Sequence, residues 1–189
     1  MNGELEHKDS MGNLENLRRG EVQFTNAGTG ISHSEYCRNK QEDVHFIQIW
    51  SKLNVRGLKP SYCTRKYTDE MKTDKLVRIM ESTERHSGKD GPTEPIEIHA
   101  DLSMDASILS PGKQVVHELV KDGERSVYLH VVMADRKQNP TGARIKVGDV
   151  ELGEGDGAFV RGASGPGKIE VQSVGEKPAE FLLFDMGRS

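Results

Sequence analysis

Short runs of alternating apolar and polar residues, separated by glycine-rich turns, recur along the chain. Glu4–His7 alternates, Asp9-Ser10-Met11-Gly12-Asn13 supplies turn chemistry, and Leu14–Leu17 resumes the alternation, which predicts a β-hairpin. Gly20 opens a strand over Glu21–Thr25 that runs into the small-residue turn Ala27-Gly28-Thr29-Gly30. Val44–Trp50 (VHFIQIW) is apolar on both faces and predicts a buried strand. Lys59–Met71 is polar and proline-started, which predicts a linker. A second series of strands is predicted over 76–80, 96–102, 115–119, 127–132, 169–174 and 181–184, with a hairpin across Gly148-Asp149 joining 144–147 to 150–152. ESTERHSGKDGPTE and ADRKQNPTGA read as exposed loops, and Asp69–Met80 has room for one or two helical turns. The pattern predicts an all-β chain of two consecutive barrel or jelly-roll units, 1–72 and 73–189.

Composition narrows the classes. The chain has 189 residues, a formal net charge of -4 and 34% hydrophobic residues, with a mean hydropathy of -0.66. That balance supplies no field for nucleic acid or acidic membranes. The start, MNGELEHKDS, has no apolar h-region, and no run reaches membrane-spanning length. Two cysteines, Cys37 and Cys63, stand without CxxC spacing, so no disulfide framework is expected and a reducing compartment, cytoplasm or nucleus, is the expectation.

Candidate chemistry begins directly after the small-residue turn. In an extended strand His33 and Glu35 face one side. Imidazole plus carboxylate suits Fe(II) and related divalent metals with open positions. The same spacing serves equally well for two exposed polar residues, and two ligands rarely hold a metal. His7 shares the parity of Leu5, and His45 that of Ile47 and Ile49; such histidines are ordinarily hydrogen-bonded packing residues rather than replacement ligands.

GEVQFTNAGTGISHSEY followed by VHFIQIW resembles the pirin family, as do GELEHKDSMGN, PSYCTRKY and EFLLFDM. The similarity spans nearly the whole chain and is densest over Gly3–Trp50. It implies two cupin-type jelly-roll β-barrels, the first holding iron or another divalent metal. Some relatives oxidise flavonols as quercetin 2,3-dioxygenases, and nuclear relatives act in transcriptional regulation. The resemblance implies a metal held by three histidines and one glutamate: two from a His-Pro-His segment, the others from His-Ser-Glu. His33 and Glu35 match the second pair, with Glu35 also a candidate base. The first pair has no match in residues 1–189, because Gly3 aligns just after that segment.

Three expectations follow from that departure. The first is a metal dioxygenase for a small aromatic, with metal weak or absent and catalysis lost in this chain. The second is a non-catalytic binding or regulatory protein with a protein partner. The third is a fragment of a longer chain, since barrel strands removed from a fold leave unpaired edges. Phe24 and Trp50 are expected in core packing rather than in a substrate pocket.

Three further patterns lead nowhere. Gly162–Lys168 spells GxxxxGK, but Ile169 replaces the Mg²⁺-binding hydroxyl and begins an alternating strand. His117-Glu118 opens like HExxH, but Lys121 stands at the second histidine. Arg18-Arg19 is too small a basic patch for nucleic acid and has no aromatic platform.

Overall fold

The computed structural model describes residues 3–89, 91–120, 124–134, 142–164 and 167–187. Its fold is nearly all β. The strands β1 (Leu5–Asp9), β2 (Leu14–Leu17), β3 (Glu21–Asn26), β4 (His33–Cys37) and β5 (Ser61–Lys66) come first. One helical turn follows, α1 (Asp69–Lys72), capped by the Thr68 side chain. Then come β6 (Val77–Ser82), β7 (Ile96–Ile98), β8 (Leu102–Leu109), β9 (Gln114–Glu118) and β10 (Glu124–Val131). The last five are β11 (Arg144–Val147), β12 (Val150–Gly153), β13 (Gly157–Ser164), β14 (Lys168–Ser173) and β15 (Ala179–Gly187).

The strands form four sheets: β2-β1-β4, β3-β5, the six-stranded β13-β10-β15-β8-β6-β7 and the four-stranded β12-β11-β14-β9. Strand alternation places two cores on the six-stranded sheet. Val127, Leu129, Phe181 and Leu183 face Ile145, Ile169 and Val171 of the four-stranded sheet. On the reverse face Met104, Ala106, Leu182 and Phe184 meet Val22, Phe24, Ile47 and Leu53 from the first third of the chain. Because β8 and β15 are buried on both faces, they are the spine to which both halves are fixed. Tyr67 seals the junction. It is fully buried, its hydroxyl lies 2.9 Å from the Glu94 carbonyl, and burial pushes its phenol up to about 12.

Three expectations are corrected. Val44–Trp50 is an extended segment with a single bridge at His45, and Ile49 and Trp50 are exposed. Its apolar residues line a cavity instead of packing in a sheet. The segment read as a linker contains β5, which pairs along its whole length with β3 from Glu21↔Lys66 to Asn26↔Ser61. The third concerns β8 and β13, which the hydrophobic pattern did not predict as strands. In the loop predicted over 134–143, residues 135–141 lie outside the described residues.

The inner face of β8 carries Ser103, Asp105 and Ser107, all buried. They adjoin a closed ring of charges that crosses between the two larger sheets. Arg125 reaches Asp185 (2.7 Å) and Asp101 (2.7 Å), and Arg85 joins Asp101 (2.9 Å) to Glu81 (3.0 Å). Arg78 binds Glu81 and Asp105 (2.6 Å), and His117 lies between Asp105 (3.2 Å) and Asp185 (2.8 Å). Four cations alternate with four anions only when His117 carries its proton. Both ring nitrogens of His117 face carboxylates, so the histidine of the HE dipeptide is a cross-sheet tie and not a metal ligand.

Candidate metal centre

The register of β1 against β4 builds the site. His7 stands opposite Glu35 and Asp9 opposite His33, so all four side chains share one face of the sheet. The turn before β4 aims the pair. Gly28 has φ +49°, and a Cβ there would lie 2.1 Å from the Leu58 carbonyl oxygen, while Thr29 donates its N–H to that oxygen at 3.0 Å. Ser10 and Ser32 then lock β4 to the hairpin: Ser10 N–H donates to Ser32 O at 2.8 Å, and Ser32 N–H to Ser10 Oγ at 3.2 Å. Gly28→Ala is therefore expected to destabilise the chain by about 1–3 kcal/mol through backbone strain. Urea denaturation measures this, and an unchanged midpoint would show that the turn tolerates a side chain.

His33 is exposed at the front of the site, and Glu35 is half-buried behind it. His7 is buried, its ring stacked between His33 (centroids 5.7 Å apart) and Tyr62 (4.9 Å). Its Nε2 lies 3.4 Å from Asp9 Oδ2, while Nδ1 has no hydrogen-bond partner and sits 3.9 Å from Glu35 Oε1. Burial pushes the Asp9 carboxyl up. Bonds from the Asn13 side chain and backbone, His7 and the Met11 backbone outweigh it and hold the carboxyl at about 2. Asp9 is thus a fixed anion behind His7.

Two residues that sequence reasoning missed complete the polar wall. Gln23 Nε2 donates to Glu35 Oε1 at 2.5 Å, and the Tyr62 hydroxyl lies 3.3 Å from Gln23 Oε1 and 3.2 Å from Glu15 Oε2. Burial, then the Glu15 carboxylate, push the Tyr62 phenol well above its usual range, so it remains a donor. Tyr62 lay in the segment read as a linker. The alternation of Gln23 with Val22 and Phe24 was the available signal for its direction.

The site opens into a cavity of about 340 Å³ that extends to the outer face of the six-stranded sheet. Phe24, Ile47 and Trp50 line it from one side, Met104 and Leu182 from the other. Phe24 packs on the core as expected, whereas Trp50 is 85% exposed and stands at the cavity wall rather than in the core.

Imidazole and carboxylate side by side on a concave wall fit a divalent cation in kind. They do not fit one in number: among the described residues no group of three or more His, Cys, Asp or Glu side chains converges as a metal cage. His45 is in the cavity wall without joining such a group. Cys37 and Cys63 are free thiols, and no helix is long and apolar enough to cross a membrane.

Strands packed as facing sheets around an inward imidazole–carboxylate pair define a cupin-like protein. The family can be stated more closely. Residues 1–51 match the Pirin family model, and residues 87–186 match the model described as the quercetinase C-terminal cupin domain. The quercetin 2,3-dioxygenase of Escherichia coli K12 is 30% identical over 186 residues, covering 98% of this chain and 69% of the relative. A putative quercetin 2,3-dioxygenase of Zymomonas mobilis is 31% identical, covering 96% of this chain and 67% of the relative. The Escherichia coli protein YhhW superimposes with a TM-score of 0.80 at 26% identity over 100% of this chain and 70% of its own. A second YhhW structure, in complex with nickel(II), gives 0.79 over the same shares. The chain belongs to the pirin family and spans about two thirds of the length of these relatives.

Proposed function

We propose that this chain carries quercetin 2,3-dioxygenase-like chemistry, with His33 and Glu35 as two ligands of a divalent metal, Fe(II) in the oxidising form. The observation that carries the reading is the β1–β4 register, which turns both side chains onto the wall of an aromatic-lined cavity. The cavity takes a small flavonol-like aromatic, held between Phe24, Ile47 and Trp50 with water excluded. A bound metal supplies Lewis acidity and open coordination positions. Glu35 accepts a proton from a phenolic hydroxyl brought against it. Residues 1–72 form the unit that bears the site, and 73–189 the unit that backs it. The free thiols favour a reducing compartment, cytoplasm or nucleus.

A second reading is a non-catalytic binding or regulatory protein that acts through a protein partner. Only one observation favours it: no third donor joins His33 and Glu35 among the described residues. Two protein donors leave a metal weakly held.

Anaerobic titration of Ni(II) or Fe(II) into the metal-free chain tests the ligand assignment. One weak equivalent is expected, with affinity falling by more than about tenfold in His33→Ala and in Glu35→Ala. Unchanged binding in either variant would remove that residue from the set. Oxygen uptake with quercetin and added Fe(II) separates the two readings. No uptake is expected from a two-donor site, and turnover abolished by both variants would make the chain an enzyme.

A further inference from the structure

The Gln23–Glu35 contact assigns Gln23 a role beyond packing. We propose that Gln23 is a positioning residue: it occupies Oε1 of Glu35 and so confines Glu35 to binding a metal through Oε2 alone. This rests on the reading of Glu35 as a ligand.

Three features carry the inference. Gln23 Nε2 sits 2.5 Å from Glu35 Oε1, a charge-assisted bond to one oxygen of an anion. The amide has only one workable orientation. Turned over, it would set its own oxygen against Oε1 at the same distance, two acceptors without a proton between them. On its other side Gln23 Oε1 faces the Tyr62 hydroxyl at 3.3 Å, which completes the amide's bonding in that orientation.

Gln23 is also carried on a different sheet from Glu35. It lies on β3, paired with β5 through Gln23↔Thr64, while Glu35 lies on β4, paired with β1. The contact therefore ties two separate sheets at the candidate metal ligand, and its loss frees the carboxylate to rotate. Glu35 Oε1 is further hemmed by His7 Nδ1 at 3.9 Å, whereas Oε2 carries no hydrogen bond among the described residues. A one-oxygen carboxylate leaves more coordination positions for a chelating aromatic diolate or its ketone than a two-oxygen carboxylate does. Gln23 would thus help keep room at the metal for a substrate that itself binds through two oxygens.

The test is metal-difference infrared spectroscopy of the Co(II)-titrated chain, using protein labelled with ¹³C at glutamate carboxylates. One-oxygen binding widens the splitting between antisymmetric and symmetric carboxylate stretches, and two-oxygen chelation narrows it. The native chain is expected to show a wide splitting that vanishes in Glu35→Ala. Gln23→Met keeps the length and removes the donor; Gln23→Asn keeps an amide too short to reach. Each is expected to narrow the splitting and to change Co(II) affinity by roughly 10-fold or more, as loss of an outer-sphere partner does. Two variants guard against one failing to fold, and thermal melts identify the folded ones. If both fold and retain the native splitting, while Glu35→Ala abolishes it, the assignment to Gln23 is overturned and the ligand reading stands. If Glu35→Ala leaves the native spectrum unaltered, or no Glu signal appears on titration, the ligand reading fails and this inference fails with it.

Discussion

Arg125→Met is expected to destabilise the chain by about 3–5 kcal/mol, the cost of leaving a buried charge without its partner. Arg125 and Asp185 are both fully buried, and the guanidinium donates to Asp185 Oδ1 at 2.7 Å and to Asp101 Oδ2 at 2.7 Å. With the guanidinium gone, Asp101 turns to solvent, since its side chain is 45% exposed. Asp185 cannot. It keeps only His117 and the Val120 N–H at 3.1 Å. The ring does not stabilise the fold relative to an apolar core, because Arg125 Nη2, Arg85 Nη2 and Asp105 Oδ2 have no hydrogen-bond partner. Asp105 Oδ2 is at ion-pair distance from His117 but misaligned for a bond. The double variant Arg125→Met/Asp185→Leu is therefore expected to lose less than Arg125→Met alone. Urea denaturation of the three chains checks the order. A single-variant change within about 0.5 kcal/mol, the size seen at ordinary surface positions, would show that the ring carries no such dependence.

That ring also explains where the sequence became unreadable. β8 has the burial of a central strand, yet its inner residues are Ser103, Asp105 and Ser107, so hydrophobic alternation is faint where tertiary burial is greatest. The partners that make Asp105 tolerable, Arg78 and His117, are distant in sequence. β13 is an edge strand opened by Gly157 and interrupted by Gly162, with Phe159 exposed, and offers little pattern. Val44–Trp50 erred in the opposite sense. Its apolar residues imply burial, but they are spent on a cavity wall outside any ladder.

The β1–β2 and β11–β12 hairpins were legible because turn chemistry and flanking alternation are local. His33 and Glu35 were legible as a same-face pair for the same reason. The rest of the site was not. His7 opposite Glu35 and Asp9 opposite His33 depend on pairing across the chain, and Gln23 meets Glu35 only because two sheets approach one another. Strand parity shows which way a side chain turns; register decides what it meets.

Stability should also fall as pH rises from about 6.5 to 9, by about 3 kcal/mol in all. The source is His117. Burial alone would lower its pKa, but Asp105 and Asp185 on either side outweigh that and raise it from 6.5 to about 9. The folded chain then binds a proton that the unfolded chain releases near 6.5. The contribution is complete below 6.5 and is lost as pH climbs through 9. Asp185 acts at the other end with the opposite sign. Burial pushes its carboxyl up, His117, Arg125 and the Val120 N–H hold it at about 2 against an ordinary 3.8, and its contribution is lost as pH falls toward 2. These two groups predict a plateau between about 4 and 6.5, with the steeper loss on the alkaline side. His117→Gln keeps a donor for one aspartate and cannot titrate, so it should be less stable at pH 6 and flat between 6.5 and 9. Urea midpoints at pH 6, 7.5 and 9 for both chains decide it. A native midpoint that stays level across that span would mean His117 is neutral between its two aspartates, leaving the ring one cation short.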